Sequence, residues 1–304
     1  MAVTQPVERR YTGMVKRRGL DVFALFNHVF LALIAVFTLY PFWYVIIASL
    51  TGDYIAGLDI FFLYPVRFTL SAYRMVFSTR SILTAYGNTL FITIVGTVIS
   101  LTVTALTAYP LSRGRLRGRN IITLLLYFTM LFNGGLVPTY LVVRNLHLIN
   151  SLWALILPRM VSVYNMLLMI NFFRSIPDSL EESSSIEGAN DFYILFKIML
   201  PLSLPMFATL TLFYAVSYWN LWFDAVIYLS KSAKYPLQLI LREIVQQVDL
   251  SYVAGGSSDL TMSNVTMQSV RMATIVVAIV PVMMVYPFLQ KYFVKGVMIG
   301  AIKG

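Results

Sequence analysis

Six stretches of twenty or more mostly apolar residues dominate this sequence, at 22–50, 86–109, 121–143, 152–173, 202–229 and 269–288. A helix crossing the hydrocarbon of a bilayer needs about 20 such residues. None of the six shows the alternation over about 10 residues expected of a barrel strand, so the spacing predicts an all-α membrane protein with six spans. Composition agrees. Of 304 residues 59% are hydrophobic and 12% charged, with a mean hydropathy of +0.76, against roughly 45–50% apolar and ~25% charged in soluble domains. A secreted soluble enzyme and a disordered chain are excluded. The absence of cysteine removes disulfides and thiolate metal sites, and two distant histidines, His28 and His147, make a poor metal pair.

The net charge of +10 is explained by membrane topology rather than by nucleic acid, because basic residues concentrate on the cytoplasmic side of spanning helices. Arg9, Arg10, Lys16, Arg17 and Arg18 precede the first span, and Arg113, Arg115, Arg117 and Arg119 follow the second. Arg174 and Lys197 follow the fourth, and Lys291, Lys295 and Lys303 lie at the end. These are 14 of the 23 Lys and Arg residues; eight fall in the alternate loops and Arg159 falls inside a span. The expected organisation is a cytoplasmic tail at 1–21, a six-span domain at 22–290 and a cytoplasmic tail at 291–304. The first apolar stretch exceeds the 7–15 residues of a signal peptide core and reads as a retained helix. Asn264-Val265-Thr266 matches a glycosylation sequon on the outer side, and Gly114-x-x-x-Gly118 lies among arginines, in a loop rather than at a helix interface.

The polar stretch 174–201 differs from its surroundings. Pro177 suits a first helical turn, and Asp178, Glu181 and Glu182 complement a helix N-terminus. Gly188 can end that helix in a left-handed conformation, Asn190 or Asp191 can cap a second helix, and Pro201 stops it. A short helix, a sharp turn and another helix across the cytoplasmic face follow, unless the segment is an ordinary acidic loop.

Glu182, Gly188, Ile198, Leu200 and Pro201 fit the spacing E-A-A-x-x-x-G-x9-I-x-L-P. With Phe132-Asn133-Gly134-Gly135-Leu136-Val137-Pro138-Thr139-Tyr140, with Leu152 to Pro158, with Trp219-Asn220-x-Trp222-Phe223-Asp224-Ala225 and with Leu237 to Ile244, the chain resembles carbohydrate-type ABC importer permeases, in the oligosaccharide and alginate-like subgroup. It departs at Ser183 and Ser184, where the pattern has alanines, and at Glu187, where it has Asp; size or charge is kept. The resemblance covers about residues 20–304. It implies a type I importer permease fold in which 174–201 carries the coupling helix, with Glu181, Glu182, Ser183, Ser184, Glu187, Gly188 and Ala189 contacting an ATPase subunit. It further implies a second, homologous permease, two ATP-binding subunits that hold ATP and Mg, an extracytoplasmic solute-binding protein, a carbohydrate substrate and a bacterial inner-membrane location. The chain has no G-x-x-x-x-G-K-[ST] loop and no cofactor site is expected in it.

No arrangement of residues supports catalysis, so no enzyme activity is expected. On the fifth span Ser217, Asn220, Asp224 and Tyr228 recur at helical spacing, beside Trp219, Trp222 and Phe223. Aromatic faces stack on sugar rings and Asn and Asp bind hydroxyls; the alternatives are an interfacial aromatic belt and interhelical hydrogen bonds. Asn133, Tyr164 and Asn165 are further path residues. Pro110, Pro158 and Pro281 are expected to kink or end helices. At 1.5 Å per residue Arg159 lies about 10 Å, and Asp224 about 8 Å, below the outer ends of their spans. At that common depth the two either flank the outer part of a translocation cavity or form a structural ion pair. Two outer segments, 68–77 and 236–248, read as surface helices that either pack on the bundle or meet the binding protein. An ion-coupled secondary sugar transporter working through Asp224 is the alternative. It calls for inverted repeats or broken helices at matching positions, which the sequence does not display.

Overall fold

The computed structural model describes residues 22–52, 63–65, 67–253 and 267–301. The basic tail 1–21, the sequon at 264–266 and Lys303 lie outside the described residues. The chain divides into two compact units, Met1–Tyr44 and Val45–Gly304, and the boundary falls within helix α1, Val22–Ser49. In the first unit Phe26 and Phe30 stack with ring centroids 6.2 Å apart.

The second unit continues with α2 (Ser71–Ser78), α3 (Arg80–Ser112), α4 (Arg119–Leu131), α5 (Leu136–Asn145) and α6 (Trp153–Ile156). A 3-10 turn, Leu157–Arg159, leads to α7 (Val163–Ser175) and α8 (Ser179–Ile186). Next come α9 (Asp191–Tyr193), a π-helical turn at Ile194–Met199 and α10 (Leu200–Leu202), followed by α11 (Leu204–Trp219) and α12 (Phe223–Tyr228). A second 3-10 turn, Ser232–Lys234, precedes α13 (Leu237–Val253) and α14 (Met267–Ala301). Among the described residues the sole β pairing is one bridge between Thr51 and Phe68.

Three helices, Phe23–Ser49, Arg80–Ser112 and Gln268–Val285, are long and apolar enough to cross a membrane. The other spans are not single rods. Arg119–Leu131 and Leu136–Asn145 meet at 112°, Trp153–Arg159 and Val163–Ser175 at 49°, and Asp191–Leu202 and Leu204–Trp219 at 83°; counting each pair as one span gives up to six. Each break has a local cause. Gly135 takes φ +89° before α5, and its N–H donates to Asn133 Oδ1 at 2.9 Å, a turn a β-carbon would disfavour. Pro158 is the middle residue of the 3-10 turn at the 49° bend. Pro205 lies in the first turn of α11, where a missing N–H costs nothing. Pro110 lies two residues from the end of α3, whereas α14 runs through Pro281 without ending. The helix at 191 therefore ends at Leu202, one residue beyond Pro201. The bend expected at Pro158 is present, whereas those of 112° after Leu131 and 83° after Leu202 are not read from the sequence. Hydropathy registers how apolar a stretch is, not whether it stays straight.

The α3–α11 contact fixes the centre of the unit. Gly96 lies against the Tyr218 ring, so close that a β-carbon there would sit 2.8 Å from ring carbons. Thr104 and Tyr214 share a hydrogen bond of 2.8 Å. Tyr218 Oη is bonded with Ser100 Oγ at 2.9 Å and donates to Ile156 O at 3.3 Å. Small residues and shared hydroxyls are how helices bind one another in lipid, where no hydrophobic force draws them together. Phe173, Met169, Ile170, Leu155 and Leu210 complete the core here. A second core holds Ala72 and Val76 of α2, Ile82 and Ala85 of α3, Leu237, Ile240 and Leu241 of α13 and Ala273 and Ala278 of α14. The two surface helices read from the sequence thus pack their apolar faces on the bundle.

The loop between α12 and α13 is pinned from two sides. Asn150, with a left-handed φ of +59°, accepts from Ser230 N (2.6 Å) and Ser230 Oγ (2.7 Å) on its side chain. Its own N–H donates to Tyr228 O at 2.8 Å, and its carbonyl accepts from Lys234 Nζ. From α3, Asn88 Nδ2 donates to Ala233 O (3.0 Å) and Tyr235 O (3.1 Å), and Thr89 Oγ1 accepts from Leu237 N at 2.8 Å.

Candidate functional site

The hairpin read from the sequence at 174–201 is present. After Pro177, α8 carries Glu181 and Glu182 in its first turn. Gly188 turns the chain with φ +87°, and Asn190, not Asp191, caps the next helix, its Oδ1 accepting from Tyr193 N at 2.8 Å. The two acids of the first turn diverge. Glu182, Ser183, Glu187 and Gly188 are exposed, as is Ile186 at 87%, while Ser184 and Ala189 are half-buried. Glu181 is turned inward and buried. Its Oε2 lies 2.8 Å from Arg113 Nε, close enough for an ion pair but not aligned for a hydrogen bond, and Arg115 Nη2 donates to its Oε1. Arg113 Nη1 also reaches Asp178 Oδ1 at 2.5 Å and Nη2 reaches Met199 Sδ at 3.2 Å, while its guanidinium lies over the Tyr109 ring. Arg115 also bonds Asp191 Oδ1 at 3.2 Å. Burial pulls the Arg115 guanidinium down, but Glu181 and Asp191 outweigh it and its pKa is raised on balance. The basic loop after α3, read from the sequence only as topology, is thus the seat of the hairpin. A concavity of about 630 Å³ lies between them, lined by Gly114, Glu182, Ser185 and Ile186 among others.

Within the spans, Arg159 and Asp224 form an ion pair, Nε to Oδ2. Arg159 is the last residue of its 3-10 turn, at the 49° bend, and Asp224 is in the first turn of α12. Asn220 and Phe223 are exposed beside this break, and Asn220 Nδ2 donates to Val216 O at 3.0 Å. The four residues expected on one helical face do not share one, because the helix stops at Trp219 and restarts at Phe223. Trp219 is buried, its indole N–H donating to Ala278 O at 3.1 Å and its ring meeting Tyr86 edge-on. Asn165 is buried near the start of α7. Tyr164 and Asn133 are exposed. Trp222 carries the Arg242 guanidinium 3.7 Å above its ring, a contact between α12 and α13 that sequence spacing does not reveal.

An all-helical chain with bent apolar spans and a polar hairpin seated on a basic loop has the build of a membrane permease subunit. It matches no family model. It is 46% identical over 288 residues to the polygalacturonan/rhamnogalacturonan transport system permease protein YtcP of Bacillus subtilis, covering 93% of this chain and 99% of that protein. It is 44% identical over 285 residues to protein LplC of the same organism, covering 93% and 95%. Among solved structures it is similar to a chain from the crystal structure of a bacterial ABC transporter involved in the import of the acidic polysaccharide alginate. That match has a TM-score of 0.82 and 38% identity, and covers 90% of this chain and 96% of the other. The chain belongs to the family of carbohydrate ABC transport system permeases.

Proposed function

We propose that this chain is one of two permease subunits of an ATP-driven, binding-protein-dependent importer of oligosaccharides. Two ATP-binding partners hydrolyse ATP with Mg, and an extracytoplasmic binding protein delivers the sugar. The hairpin carries this reading: an eight-residue helix that ends in a left-handed glycine and leaves Glu182, Ser183, Ile186 and Glu187 outward is a surface for a protein groove, not for lipid. We assign the hairpin end of the bundle, and both chain termini, to the cytoplasmic side, a reading that the bias of Lys and Arg supports. Closure of the ATPases on nucleotide pushes the hairpin and opens the bundle outward; hydrolysis returns it. Arg159, Asp224, Asn220 and Phe223 are assigned to the sugar path, and the relatives that handle polygalacturonan, rhamnogalacturonan and alginate favour acidic sugars. Trp219 and Asn165 are assigned to packing around it.

Purification of the tagged chain from its native membrane tests the whole. ATPase subunits should come with it, and hydrolysis should rise when a binding protein loaded with alginate or polygalacturonate oligosaccharides is added. A chain that purifies without any ATPase overturns the assignment.

A further inference from the structure

Helix α8 has one buried residue, and that residue is Glu181. Apolar burial cannot be what holds this helix on the protein. Eight residues are also too few for a helix to persist by propensity alone, and Asp178, at its N-cap, makes no capping bond because its carboxylate is taken by Arg113. The attachment is therefore ionic and hydrogen-bonded. Its other half is Arg113, the residue that ends α3. The two side chains are 7% and 8% exposed. Buried ion pairs are poor stabilisers when compared with apolar packing, and their best-attested use is to fix register. Apolar surfaces slide past one another, whereas a guanidinium shared between Glu181, Asp178 and Met199 Sδ has one seat. Arg115 adds a second strut, joining Glu181 to Asp191 beyond the Gly188 turn, so both arms of the hairpin are tied to the same loop.

We infer that the Glu181–Arg113 pair is a positioning linkage that makes α8 and α3 move as one body, so that a push on the hairpin is delivered to α3. This rests on the docking role proposed above. From α3 the displacement passes to α11 through Ser100–Tyr218 and Thr104–Tyr214, and Tyr218 reaches Ile156, three residues from Arg159. Glu182, the exposed neighbour, faces the partner. Glu181 does not touch the partner and acts through α3.

The chain has no cysteine, so nitroxide labels can be placed at Thr107→Cys on α3 and Ser185→Cys on α8, both exposed. The complex with its ATPase subunits in nanodiscs is then measured by pulsed electron resonance without nucleotide and after ATP–vanadate trapping. The unsubstituted linkage should give one and the same distance distribution in both states. Glu181→Gln should keep its ATPase subunits yet show a distribution that shifts or broadens between the two. An unchanged distribution in Glu181→Gln overturns the inference, as does a shift with the linkage intact or loss of the ATPase from Glu181→Gln. Arg113→Lys, which keeps the charge and loses the fork, is read the same way if the Glu181→Gln chain itself fails to fold in the membrane. Failure of the parent chain to bind any ATPase is a different result and defeats the proposed function itself.

Discussion

Arg159 and Asp224, 65 residues apart, pair beside two interruptions, the 49° bend after Arg159 and the stop between Trp219 and Phe223. Arg159 pairs through Nε and stays 42% exposed, against 17% for Asp224. A guanidinium is a five-donor fork, and one engaged on a single side keeps hydrogen-bonding capacity for a carboxylate or a hydroxyl.

Arg159→Gln and Asp224→Asn should each lower sugar uptake while the complex still assembles. The double substitution removes both charges, and with them the about 2.5–3.5 kcal/mol that an unpaired charge costs on insertion scales, yet should assemble like the single variants and recover no uptake. Uptake assays beside size-exclusion profiles of all three variants check this. Full uptake in the double variant would mean that the pair is only a strut.

Gly188 has φ +87° and open space around the place of a β-carbon, so substitutions there are penalised by backbone strain and not by collision. Asn tolerates this region and β-branched residues do not. Gly188→Asn should retain more ATPase than Gly188→Ala, whose strain is about 1–2 kcal/mol, and Gly188→Val least of all. Pull-down of the ATPase subunit by each variant gives the order.

Two glycines of α3 should respond with opposite signs. Gly96→Ala drives a methyl into the Tyr218 ring and should destabilise by about 1–3 kcal/mol, the usual cost of overpacking. Gly87→Ala meets nothing within 4 Å and should stabilise by about 0.5–1 kcal/mol, through the entropy a helical glycine loses on folding. Melting temperatures of the purified protein in detergent report both.

Much of this was legible in the residues. The apolar stretches located the spans, the order Pro177, Glu181, Glu182, Gly188, Asn190 laid out the hairpin, and counting 1.5 Å steps put Arg159 and Asp224 at one depth. What stayed hidden depends on contacts distant in sequence or on turns hydropathy does not register. The inward Glu181 differs from the outward Glu182 only because Arg113 and Arg115 wait 66 to 68 residues earlier. The π-helical turn at Ile194–Met199 and the break after Trp219 carry no proline or glycine to mark them. Periodicity carried Ser217 to Tyr228 along one face because it assumed a helix that stops.

Trp219 tests that last point. Trp219→Phe keeps the ring in its buried site and removes the donor to Ala278 O, a hydrogen bond worth about 1 kcal/mol. The melting temperature should fall modestly and the preference among sugars should stay as it was. A changed preference in uptake competition assays would place the indole in the path after all.

The pinning of the α12–α13 loop by Asn88, Thr89 and Asn150 constrains how this end of the bundle, assigned above to the outer side, can move. No part of that loop can lift without surrendering hydrogen bonds both to α3 and to the turn that holds Asn150. That end of the bundle is therefore a plate, not a set of flaps. On the proposed import cycle, it would move by tilting with the helices beneath it, not by a loop lifting on its own.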